Sequence, residues 1–451
     1  MIDLGFRDGS VDARSSTAKL PSAYICGDSR EREVIETRSQ AWVAARVNFV
    51  GALLALAMTI VIGILNGLDV YVPDRDVLMG HVHAGTLGWI TQALSGMTLL
   101  IFTADRSLST EEMVRIRRLA WAVTGGVTLY VAAFFAGDGL PGDRIHRPIT
   151  GTILFVVLIW LLRWLLRARR DVVHTVARLG ILLALVSLLI GAAVGILLGI
   201  YTSRGAMPGI STTTGNAIAE AHPASLVIGF LLLAALAMIE WLLGDQPAFK
   251  SAAGVVQMWL LFFSGLVVSI AFVMRLENPF LGPANLAMIG GTAMMVVRHR
   301  RELTPSAWRH GGTGAYPRAA MLFVIAYLSL FTVIVLRITT GHMYFTPATP
   351  RDLGLLVAFD HVMFIGVMTN VLFGGLASAF HGKSWNLVDR TLLWGTNVGV
   401  AGFAVGLLLV EALPKRIFTP IMGTALLVGV GGYLREMTSR RAGSSVRSSG
   451  E

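Results

Sequence analysis

The chain has 451 residues, of which 54% are hydrophobic and only 14% charged, with a formal net charge of +10 and a mean hydropathy of +0.68. Soluble domains carry about 25% charged residues, so a string of soluble domains is excluded and a polytopic membrane protein is expected. The excess of Lys and Arg then reads as loop charge on one side of a membrane. No aromatic-interleaved basic platform points to nucleic acid as a partner, and the single cysteine, Cys26, excludes an intrachain disulfide.

Residues 1–40 are polar and lack the apolar core of a signal peptide. They are expected to form a disordered cytoplasmic tail in which Cys26 is an incidental thiol. A transmembrane domain follows over 41–436. A spanning helix needs about 20 apolar residues, and the pattern predicts twelve, at 43–66, 80–103, 117–137, 148–166, 176–201, 219–243, 253–275, 280–297, 318–337, 354–380, 390–411 and 417–434. Residues 437–451 form a basic, Ser-rich cytoplasmic tail.

The loops after spans 2, 4, 8 and 10 are basic, with Arg115, Arg117 and Arg118 in the first of these regions and Arg163, Arg167, Arg169 and Arg170 in the second. The loop after span 6 carries only Lys250, while loops after odd spans are richer in acids, such as Asp69, Asp74 and Asp76. The positive-inside rule therefore puts both termini in the cytoplasm of a bacterial-type plasma membrane, with the lipid bilayer as the surrounding partner. Even-numbered spans begin on the extracytoplasmic side.

Ten histidines lie along this frame. His174, His299, His310 and His381 fall in or beside basic loops and read as solvated. The other six lie at the extracytoplasmic side. His146 precedes span 4 and His342 precedes span 10, whereas His81, His83, His222 and His361 fall within spans 2, 6 and 10. An imidazole in hydrocarbon is costly, and such residues normally face the bundle interior and mark function. Imidazole is also the natural ligand of haem iron and copper.

Span 2, "MGHVHAGTLGWITQALSGMTLLIF", sets His81 and His83 about 200° apart on a helix. One of them is expected to point inward as a ligand, and His83, the deeper, is favoured. Ala84, Gly85 and Gly88 beside it let a neighbouring surface approach the backbone. Span 6 opens with Glu220, His222 and Pro223, which places His222 at the helix mouth, since proline suits a first turn. Glu240 beside Trp241 reads as interfacial. Span 10 holds Asp360 next to His361.

This layout resembles subunit I of the haem–copper oxidase superfamily, the catalytic subunit of cytochrome oxidases and bacterial nitric oxide reductases. The resemblance covers the whole transmembrane layout, but its motifs are short. It implies a haem–copper oxidase subunit I-like bundle and a b-type haem held by His361 and by His81 or His83. It also matches His222 with Pro223 to the copper histidine that opens helix 6 in that family. The departures are specific. Phe359 stands where the family's high-spin haem ligand would be two residues before His361, span 7 has no histidine for a copper pair, and "HPASL" lacks the tyrosine of helix 6. His222 alone is a poor copper site, to which Glu220 or His146 could add one ligand each.

The resemblance thus implies a bis-histidine haem protein without the familiar oxygen-reducing centre. Its chemistry would be electron transfer, or binding or turnover of nitric oxide or oxygen, with a cytochrome or quinol donor on the extracytoplasmic side. An oxidoreductase activity is left open. The architecture is also similar to membrane haem proteins linked to nitric oxide tolerance. Two other functions fit the composition: a twelve-helix secondary transporter using the histidines as proton or metal sites, and a scaffold subunit without cofactors.

Overall fold

The computed structural model describes residues 29–104, 107–139, 144–204, 211–244, 247–309, 311–343, 349–381 and 385–446. Cys26 and most of the N-terminal tail, His310 and the last residues of the C-terminal tail lie outside the described residues. Helix α1 begins at Ser29, inside the stretch read as tail, and runs to Gly67.

The remaining long helices follow in chain order. They are α2 (75–101), α3 (Thr110–Ala136), α4 (His146–Ala168), α5 (Val176–Arg204), α6 (212–244), α7 (Ala252–Met274), α8 (Glu277–Arg298), α9 (Ala315–Thr339), α10 (350–381), α11 (Leu387–Leu409) and α12 (Ala412–Val446). The protein is an all-α membrane-type bundle, and eleven of these helices are long and apolar enough to cross a membrane. Helix α2 falls outside that set because Gln92, Ser95 and several threonines dilute its apolar run.

Neighbours in sequence are mostly neighbours in space, and α12 closes the ring by packing back on α1. Helices α6 and α10 are the most buried of the eleven. Both begin well before the sequence pattern suggested, α6 at Thr212 and α10 at Pro350. His222 is therefore not at a helix mouth. It sits about three turns inside α6, some 15 Å from its start at 1.5 Å per residue, and Pro223 lies in the helix interior. The polar, weakly hydrophobic "TTTGNAIAE" hid these extra turns from an apolarity criterion.

Three helices change their winding partway along. In α2 the chain is α-helical over Arg75–His83, π-helical over Ala84–Thr91, and α-helical again over Gln92–Ile101. In α6 the π segment is Ala224–Leu231, and in α10 it is Val362–Thr369. Each follows directly on the histidines of its helix. Proline 223 explains α6, since it lacks an N–H and its ring displaces the carbonyl four residues back. In α2 and α10 a threonine takes up the slack: Thr91 Oγ1 donates to the Thr86 carbonyl (3.0 Å) and Thr369 Oγ1 to the Phe364 carbonyl (2.9 Å), each five residues back. The π segment of α10 packs against those of both α2 and α6. π-Helical turns are rare and concentrate at functional sites.

Candidate haem site at the meeting of three pi-helical segments

Helices α2 and α10 are locked in register at their π segments by Trp89, whose indole N–H donates to Thr369 Oγ1 at 3.1 Å. The two share a pattern, "HAGTLGWITQ" from His83 and "HVMFIGVMTN" from His361, with Gly, Thr and an amide at matching offsets. That repeat is the signal in the sequence that marks both helices as special.

His81 and His83 diverge as their spacing requires: His81 lies against α1, its Cε1 3.5 Å from a Cβ built on Gly63, while His83 turns to α3. His83 stacks on Phe134 at 3.7 Å between ring centroids and meets Tyr130 edge-on at 5.7 Å. Both aromatics come from α3. The guanidinium of Arg147 lies over the same Phe134 ring at 4.8 Å, and Arg147 and Arg144 both pair with Asp76, at 2.7 and 3.1 Å. Nothing in the sequence order linked this chain of contacts to His83.

Backbone carbonyls fix the imidazole tautomers. Nδ1 of His83 donates to Met79 (2.8 Å), Nδ1 of His361 to Val357 (2.8 Å), and Nδ1 of His222 to Gly191 on α5 (3.0 Å). A ring that donates from Nδ1 keeps its Nε2 lone pair for a metal, as bound imidazoles commonly do. His81 differs: its Nδ1 is buried and has no hydrogen-bond partner. His222 presses on Gly195, where an added Cβ would stand 2.5 Å from Cε1, so only glycine fits behind the ring.

A two-imidazole haem site needs one free nitrogen on each of two rings from neighbouring helices; His361 on α10 has one at Nε2, and α2 offers His83 through Nε2 and His81 through Nδ1. A copper site does not fit. Glu220 is held by Arg275, with Glu277 also beside that arginine, while His222 is turned to α5. Among the described residues no three His, Cys, Asp or Glu side chains converge as a metal-binding group.

The positions where the resemblance misses ligands are filled by close packing. Phe359 stacks on Tyr327 at 4.5 Å and lies 5.9 Å from Phe331, and Tyr327 donates to the Val227 carbonyl. On α7, Gly265 meets Gly229 so closely that an added Cβ would lie 2.5 Å from its Cα. Ser225 donates to Ser269 at 2.8 Å across the same seam.

Of the other histidines, His146 Nε2 donates to the Ala133 carbonyl at 2.9 Å, and His342 is exposed and bonds Thr340. His299 is not a solvated loop residue, nor is Glu240 interfacial. Glu240 is fully buried and is shared by Arg298, His299 at 3.0 Å and Gln257. The alternating loop charges hid this cluster, because Arg298 and His299 belong to a run of basic residues in the sequence. Comparison with known proteins returns no matching family model and no matching curated relative.

Proposed function

We propose that the chain is a twelve-span membrane haem protein of the plasma membrane, related to subunit I of the haem–copper oxidases, with a b-type haem held between His81 and His361. The observation that carries this reading is that α2 and α10, each with a π segment directly after its histidine, pack together there through the Trp89–Thr369 hydrogen bond. An iron held by two imidazoles is coordinatively filled, and the chemistry it supplies is one-electron transfer. The protein's part is to fix the His361 ring through the Val357 carbonyl and to hold α2 and α10 together at their packed π segments. A cytochrome or quinol is the fitting donor at this end. Nitric oxide or oxygen chemistry is the second reading, favoured by the further histidines His83 and His222, each of which keeps Nε2 free by donating from Nδ1 to a backbone carbonyl.

Helix α2 counts as the twelfth span, since 75–101 measures about 40 Å at 1.5 Å per residue against a hydrocarbon core of about 30 Å. Pairing of charge supports cytoplasmic termini. At the histidine end Asp76 neutralises Arg144 and Arg147, Glu220 holds Arg275, Asp352 holds Arg337, and Asp69 holds Lys415 and Arg416. At the opposite end Arg115, Arg118, Arg163 and Arg167 stand without such partners, which is the distribution a cytoplasmic face shows.

Reduced-minus-oxidised absorption spectra of single variants test the site. Wild-type protein should show low-spin haem bands, and His81→Ala and His361→Ala should each lose them. His83→Ala and His342→Ala should keep them. Loss in His83→Ala with retention in His81→Ala would reassign the ligand, and a colourless wild type would end the haem reading and favour the transporter or scaffold.

A further inference from the structure

At the end of the bundle away from the histidines, the start of α3 and the end of α4 border an open pocket of about 560 Å³. Arg115 and Arg118 line it from α3, and Arg163 and Arg167 from α4. Spacings of three and four residues put each pair on one helix face, so four guanidiniums share one space. All four are exposed, and none makes an ion pair or hydrogen bond among the described residues. Glu111 is the one acid on the wall.

The wall also holds Trp160 and Trp164. Trp164 is only 2% exposed, and its Nε1 is buried with no hydrogen-bond partner. A buried indole N–H ordinarily finds an acceptor. Four unneutralised guanidiniums share the cavity wall with a tryptophan whose N–H is unpaired, and guanidinium is the group best matched to phosphate.

We propose that this cavity binds the phosphate of an anionic phospholipid, with the arginines facing the phosphate oxygens and the Trp164 indole donating to the bound headgroup. The lipid source follows from position. The cavity lies at the ends of two membrane-type helices, where tryptophan and arginine meet headgroups, and Val114 and Trp160 give its wall an exposed apolar part. This site is independent of the haem reading.

Native mass spectrometry of the full chain in detergent, titrated with phosphatidylglycerol, tests it. Wild-type protein should bind one phosphatidylglycerol in preference to phosphatidylcholine. The double variant Arg118→Gln with Arg163→Gln should bind it about thirtyfold more weakly, taking about 1 kcal/mol per arginine near a headgroup and tenfold per 1.4 kcal/mol. The control pair Arg300→Gln with Arg301→Gln should leave binding unchanged. Trp164→Phe keeps the ring, removes the N–H, and should weaken binding several-fold with no change in melting temperature. Equal loss in the control pair, equal binding of phosphatidylcholine, or displacement of the lipid by millimolar inorganic phosphate would each overturn the proposal.

Discussion

The two ends of the bundle use arginine differently. At the histidine end Arg144, Arg147, Arg275 and Arg337 are each held by a carboxylate, and Arg147 also lies over the Phe134 ring on which His83 stacks. At the other end the α3–α4 arginines are left free, while Arg298 is drawn into the buried Glu240 cluster. A simple tally of basic residues does not separate these cases. Pairing does, because a paired arginine fixes local geometry, whereas a free one keeps its charge for a membrane surface or a ligand.

The Glu240 cluster should give the largest response to mutation. Glu240→Ala leaves Arg298 and His299 without their buried acceptor, and losing one partner of a buried pair costs about 3–5 kcal/mol. Thermal melts in detergent should show a strong drop, and replacing Glu240 and Arg298 together with apolar residues should recover much of it. A Glu240→Ala melt like wild type would mean that the cluster is solvated.

At the histidine end Asp76→Asn should cost about 2 kcal/mol, the scale for hydrogen bonds to a charged group. It frees Arg147 from the carboxylate that holds it over Phe134. Because Phe134 supports His83 and not His81, the melt should fall while the haem bands stay in place. A shifted haem spectrum with an unchanged melt would reverse the roles given to the two histidines.

The smallest effect belongs to an exposed pair. Hydrogen bonds from Lys415 and Arg416, at 2.6 and 2.8 Å, hold the Asp69 carboxyl below its usual value of 3.8. A carboxylate depressed in the folded state adds stability above its unfolded value and loses it as pH falls toward the folded one. Wild type should therefore melt slightly above Asp69→Asn near neutral pH, and the two should converge below about pH 4. A gap that widens in acid would contradict this assignment.

The membrane character and most helix positions were legible in the sequence, because long apolar runs and loop charges are local signals. The three spans singled out by their histidines, 2, 6 and 10, are the ones that carry π-helical segments. The starts of α6 and α10 were not legible, since their first turns are polar residues that helix packing, not hydropathy, keeps ordered. The π segments were unreadable except through Pro223 and the shared threonines Thr91 and Thr369. That His83 turns to Phe134 and Tyr130 on α3 and His81 to Gly63 on α1 was not legible, since a spacing of about 200° could only say that the two diverge. Glu240 was misread because its partners lie far off in the chain, on α7 and at the end of α8.

The most direct test of the central claim is the pyridine haemochrome assay on wild-type protein produced with ample haem supply, with protein quantified in the same sample. A bis-imidazole site between His81 and His361 predicts about one b-type haem per chain, falling to background in the His81→Ala, His361→Ala double variant. Wild-type protein that folds and elutes as a single species but carries no haem would contradict it.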